Sequence, residues 1–142
     1  MSIDGGAAAA GGQIFVLTSV GYGHLFPGIE LSHHLSSRNY TTTIILPSNL
    51  LPSLPPSFHR NPLLPAASIS PFRFGPPSPE QDHANHQAGL DLSAHLEARR
   101  PLCAVVDFHL DWAKPILDKF NVLVVSFFTF GACATAMERV DR

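Results

Sequence analysis

The feature that most constrains this chain is a repeated alternation. Short apolar runs alternate with longer stretches of helical composition, and a glycine, proline or asparagine break separates them. The runs are residues 13–18 (QIFVLT), 41–46 (TTTIIL), 67–72 (ASISPF), 101–106 (PLCAVV) and 123–128 (LVVSFF). Largely unbroken apolar runs of this length suit strands buried on both faces, as in a parallel sheet. Parallel neighbours need a crossover, which the helical stretches at residues 27–38, 80–99 and 112–120 supply, and a last helix is expected at residues 132–139. The expected fold class is therefore α/β: a Rossmann-like, mostly parallel sheet with flanking helices and right-handed crossovers.

Local signals give this plan its expected boundaries. Pro27 is tolerated in a first helical turn, Ile29, Leu31 and Leu35 give that helix an apolar side, and Asn39 ends it. Residues 47–65 carry Pro47, Pro52, Pro55, Pro56, Pro62 and Pro65, which predicts an extended surface loop rather than a packed element. Residues 73–79 form a second loop rich in proline and glycine. The helix at residues 80–99 is expected to bury Leu90, Leu92 and Leu96, and Asp111 is the expected cap of the helix at residues 112–120. Residues 1–12 are rich in alanine and glycine and lack the basic start of a signal peptide, so they read as a disordered leader. Residues 13–142 form the one folded domain. They stop in or just after a helix with no closing proline or glycine, as a fragment of a longer protein would.

Composition narrows the function classes. The 142 residues suffice for one domain with a core, and a net charge of −2 offers no attraction for nucleic acid or an anionic membrane. No apolar run reaches the ~18 residues of a membrane span. Cys103 and Cys133 have no paired spacing, which favours buried structural thiols and a cytoplasmic setting. The eight histidines are scattered. His33, His34, His83 and His86 read as surface residues, and no metal site is expected because spacing suggests no third ligand for His83 and His86.

Chemistry in such sheets collects where strands end and helices begin. Gly21 and Gly23 begin a dinucleotide fingerprint, but Phe26 stands at its third position and no acid follows strand two, where the sequence reads Leu46-Pro-Ser-Asn49. A phosphate-binding P-loop motif is absent. The alternative is acid–base work. His24 lies at the first junction, where the positive end of a helix favours a neutral imidazole, the form a general base needs. Asp107 ends the fourth run and should emerge at the same edge. A carboxylate bonded to a histidine N–H fixes the tautomer and stabilises the imidazolium after proton uptake. With no serine or cysteine nucleophile, a His24–Asp107 pair suits activation of a substrate hydroxyl. Asp111 reads as a turn former.

Three segments carry a family resemblance. Ser19-Val-Gly-Tyr-Gly-His-Leu-Phe-Pro27, with Glu30, Leu31 and Leu35 after it, resembles the N-terminal signature of plant UDP-dependent glycosyltransferases, glycosyltransferase family 1. Cys103-Ala-Val-Val-Asp107 resembles their second signature, and Phe127-Phe-Thr-Phe-Gly-Ala132 their third. The resemblance implies the GT-B fold of two facing Rossmann-like domains, with this chain supplying an incomplete N-terminal, acceptor-binding domain. It implies a UDP-sugar co-substrate, with glucose the expected sugar, and neither cofactor nor metal. It implies transfer with inversion to a hydroxyl of a small lipophilic acceptor such as a phenolic, flavonoid or terpenoid. His24 would be the general base and Asp107 its charge partner, while Ser19, Gly23 and Thr129 would contact donor and acceptor. Phe72, Phe74 and Phe130 either line the acceptor pocket or pack the core. The family's C-terminal donor motif is missing, and Trp112 is the one tryptophan. The full-length enzyme is expected to be a monomer. The alternatives are an inactive truncated fragment and a small nucleotide-binding Rossmann module.

Overall fold

The computed structural model describes residues 12–19, 21–72 and 76–127. Its strands are β1 (Gln13–Leu17), β2 (Thr41–Pro47), β3 (Ala66–Ile69), β4 (Cys103–Asp107) and β5 (Leu123–Phe127). Its α-helices are α1 (Tyr22–Ser36), α2 (Pro56–His59), α3 (Pro79–Ala98) and α4 (Ala113–Lys119), and a 3-10 segment spans Ser48–Ser53. The five strands form one sheet in the order β3-β2-β1-β4-β5, with every neighbouring pair parallel. The chain therefore runs outward from β1 on one side, then returns to build β4 and β5 on the other. The crevice of such a sheet opens at the C-terminal ends of the strands where the order reverses, here β1 and β4.

Alternating side chains feed two cores. Phe15, Leu17, Ile45, Ala104 and Val106 pack with Leu92 and Leu96 of α3 and Leu117 of α4. Ile44 and Leu46 pack on the other face with Leu25 and Ile29 of α1. α1 and α4 end alike. Asn39 (φ 69°) and Asn121 (φ 58°) occupy the left-handed region that asparagine tolerates. Tyr40 N–H bonds Leu35 O and Val122 N–H bonds Leu117 O, closing each helix just before the next strand.

The structure corrects several local expectations. α1 starts at Tyr22, not at Pro27. Gly21, at φ 94°, turns the chain directly from the strand end into the helix. Pro27 then sits inside the helix, where its missing N–H would have bonded the Gly23 carbonyl. Gly23 is exposed, so that carbonyl is not sealed away from solvent. Gly28 allows a close approach: a Cβ there would lie 2.5 Å from Thr18 Cγ2.

The proline-rich segment is not a loose loop. It forms the 3-10 segment and α2, and it buries Leu54, Phe58 and Leu64 against Leu25 and Ile29. Its prolines set the turns, Pro56 opening α2 at a position that needs no N–H, while the apolar residues between them supply the anchor. Leu90 is 52% exposed, because the buried stripe of α3 runs through Ala88, Leu92 and Leu96. Gly89 brings α3 close to α4, since a Cβ there would meet Ile116 Cδ1 at 2.8 Å. β3 ends at Ile69, so Phe72 is buried beyond the strand rather than in it. Asp111 does not cap α4: Trp112 occupies the cap position and makes no side-chain bond there. Asp111 is exposed, 3.6 Å from Lys114 Nζ. The expected leader through Gly11, Phe74, Phe128, Thr129, Phe130, Cys133 and the helix at residues 132–139 lie outside the described residues.

Candidate functional site

β1 and β4 are adjacent and in register, with Leu17 opposite Val106. The residues that follow them therefore meet at one edge. His24 lies in the first turn of α1, whose Leu25 N–H bonds Gly21 O at 3.0 Å. Asp107 is the last residue of β4. His24 Nδ1 and Asp107 Oδ2 are 2.8 Å apart, although 83 positions separate them in sequence. The Asp107 side chain is 1% exposed and that of His24 22%, so the carboxylate is sealed and the imidazole reaches the surface.

This arrangement assigns the ring's tautomer. An ionised carboxylate only accepts, so Nδ1 carries the hydrogen and Nε2 is the ring's proton acceptor. Asp107 is held in turn. Its Oδ1 accepts the His109 backbone N–H at 3.0 Å, and Leu110 N–H closes the turn onto Asp107 O at 2.9 Å. Such a site can take a proton from a bound hydroxyl and stabilise the resulting cation.

The remaining predicted residues fall around this pair. Ser19 is fully buried just beyond β1, and its Oγ has no hydrogen-bond partner among the described residues, as is also true of Thr18 Oγ1. An unmet buried hydroxyl costs about 1–3 kcal/mol, which a ligand's polar atom can relieve. Gly23 precedes His24 in the same helical turn, with open space where a Cβ would stand. Phe72 meets Trp112 edge to face, ring centroids 5.1 Å apart, and belongs to the core. It also lines a cleft of about 560 Å³ with Pro71, Pro79, Glu80, His83 and Ala84.

Other titratable residues are sorted by their surroundings. His33 is half-buried with its ring edge-on to Phe58 at 5.5 Å, not a plain surface residue. His34, His83 and His86 are exposed. Cys103 is half-buried in β4, and burial pushes its thiol up, which keeps it protonated and inert. Sequence reasoning missed His109. Its Nδ1 lies 3.5 Å from Asp107 Oδ1 and its ring is 4.8 Å from that of His24. The available signal was its place two residues after an aspartate, where a side chain commonly closes a local turn onto the backbone.

Comparisons with known proteins agree with this architecture. No protein-family model matches the chain. Mogroside IIIx synthase of Siraitia grosvenorii is 28% identical over 84% of this chain and 29% of its own length. UDP-glucosyltransferase 29 of Panax ginseng is 26% identical over 88% of this chain and 31% of its own. The chain thus spans about 30% of the length of these curated relatives. Among solved structures, TcCGT1 in complex with UDP superposes with a TM-score of 0.69 at 23% identity, over 92% of this chain and 32% of that one. No helix among the described residues is long and apolar enough to cross a membrane. The chain has the fold of the N-terminal half of GT-B glycosyltransferases, and the curated relatives it resembles in sequence include a UDP-glucosyltransferase.

Proposed function

We propose that this chain is the acceptor-side part of an inverting UDP-sugar-dependent glycosyltransferase, with His24 as general base and Asp107 as its charge partner. The observation that carries the reading is the 2.8 Å contact between His24 Nδ1 and a sealed Asp107 carboxylate at the reversal of strand order. His24 Nε2 removes the proton of an acceptor hydroxyl as that oxygen attacks the anomeric carbon of the donor sugar. The bond from that carbon to UDP breaks, UDP leaves with the electron pair, and attack from the opposite face inverts the configuration. Asp107 offsets the imidazolium charge. No enzyme nucleophile and no metal enters the scheme.

Ser19, Gly23 and Thr129 are assigned to donor and acceptor contact. The unmet hydroxyl of Ser19 supports its part of that assignment. The acceptor is a small lipophilic molecule of the phenolic, flavonoid or terpenoid class, and the donor UDP-glucose. The UDP held by TcCGT1 and the name of the Panax ginseng relative support the donor class. The whole enzyme is a cytoplasmic monomer in this reading.

The chain's 29–31% span of its relatives favours a second point: alone, it does not turn over. The test joins this chain to the remaining length of Panax ginseng UDP-glucosyltransferase 29 and assays UDP-glucose with phenolic and terpenoid acceptors. Transfer by the chimera, its loss on His24→Ala, and no transfer by the 142-residue chain alone are expected. Full transfer by the His24→Ala chimera removes the base assignment.

A further inference from the structure

We propose that His24, Asp107 and His109 together form a binding site for a divalent cation of zinc type, and that occupation of this site shuts off the base. Two imidazoles flank one carboxylate. His24 Nδ1 is 2.8 Å from Oδ2 and His109 Nδ1 is 3.5 Å from Oδ1. One ligand atom from each of the three residues lies within 4.8 Å of the others. Tetrahedral zinc with ~2.0–2.1 Å bonds holds its ligand atoms about 3.3 Å apart. The His24 contact to Oδ2 and the His109 contact to Oδ1 bracket that spacing, and rotation of the two rings brings both nitrogens and one carboxylate oxygen onto a single ion.

The surroundings favour entry and retention of an ion. Asp107 is 1% exposed and is held by the His109 N–H, so the carboxylate need not move. Its oxygens retain lone pairs beyond those already engaged. The side chains of His24 and His109 are 22% and 42% exposed, which leaves a route for the ion and a position for water as fourth ligand. Two imidazoles and one carboxylate select zinc or copper over magnesium or calcium, which prefer all-oxygen sites.

Binding and catalysis exclude each other. The ion takes the Nδ1 lone pair of His24, and the ring's proton moves from Nδ1 to Nε2, the atom that would otherwise accept the hydroxyl proton. The carboxylate charge then serves the metal, and the metal's own charge opposes an imidazolium at His24. The ion is an inhibitor here, not a cofactor. The inhibition rests on the base assignment proposed above; the binding does not.

The experiment separates the two. Zn²⁺ is titrated into the metal-free 142-residue chain in competition with a chromophoric chelator, and Co²⁺ absorption reports the coordination. One Zn²⁺ per chain and a tetrahedral Co²⁺ spectrum are expected. His109→Ala and His24→Ala should each weaken binding by at least the ~10- to 100-fold that loss of a ligand's hydrogen-bond partner already costs. A His83→Ala/His86→Ala double variant, which removes the exposed pair on α3, should bind as the parent does. Undiminished binding by His109→Ala, or loss of binding in the double variant, overturns the site. In the active chimera, Zn²⁺ should lower transfer, and the ratio of rates with and without Zn²⁺ should return toward one in His109→Ala. An inactive chimera that still binds Zn²⁺ through these residues would refute the transferase reading and leave the metal site standing.

Discussion

Two clusters on this sheet use the same residue types for different ends. At β1 and β4, Asp107 faces the ring of His24, which reaches solvent. At β3 and α3, Asp91 Oδ2 accepts both the Ser70 backbone N–H at 2.7 Å and the Ser70 hydroxyl at 2.6 Å. His95 beside it bonds the Ser68 carbonyl through Nε2 at 2.9 Å. The second cluster ties a helix to the end of an edge strand, with its carboxylate and its histidine each committed to the β3 segment. The first cluster binds a sealed carboxylate to a ring that is itself partly exposed beside the crevice. The partner, not the residue type, separates a lock from a site.

Substitutions can break that contrast, and the largest effect is expected at His24. In the chimera, His24→Ala should lower kcat by about 10²- to 10⁴-fold with little change in Tm. Asp107→Asn should follow with a loss of about 10²-fold or more, because the ring loses the charge that stabilises its protonated form. Unchanged kcat in that variant would reduce Asp107 to a turn former. Gly28→Ala tests the frame beneath the site. The clash with Thr18 Cγ2 should cost about 1–3 kcal/mol in denaturant unfolding, and wild-type stability would show that α1 can shift.

The lock should respond in the opposite sense. Asp91→Ala leaves Ser70 without its acceptor and should cost about 1–2 kcal/mol of stability, while transfer per folded molecule is retained. His95→Ala should cost least, about 0.5–1 kcal/mol, read as a small drop in Tm. A loss of transfer with intact folding in either variant would erase the distinction between the two clusters.

Much of this was legible in the sequence, and the failures share a cause. The strands lie within a few residues of their apolar runs because burial on both faces demands that composition. Asn39 was readable as a helix end, and Asn121 works the same way. The juxtaposition of His24 and Asp107 could be inferred because one follows and the other ends a strand, and a parallel sheet aligns the two strands. Leu90, Asp111 and the start of α1 went otherwise because local signals compete and packing arbitrates. The prolines of residues 47–65 suggested a loop, yet Leu54, Phe58 and Leu64 had a helix face to cover.

The sequence by itself determined an alternating α/β chain, its strand positions and the residues available at the strand ends. Periodicity and composition are local properties, and they decide which segments can be strands. Only the tertiary structure decided the order β3-β2-β1-β4-β5, the sealing of Asp107 and the approach of His109. Those depend on which strands become neighbours and on where each side chain meets the next, and no stretch of sequence carries that information alone.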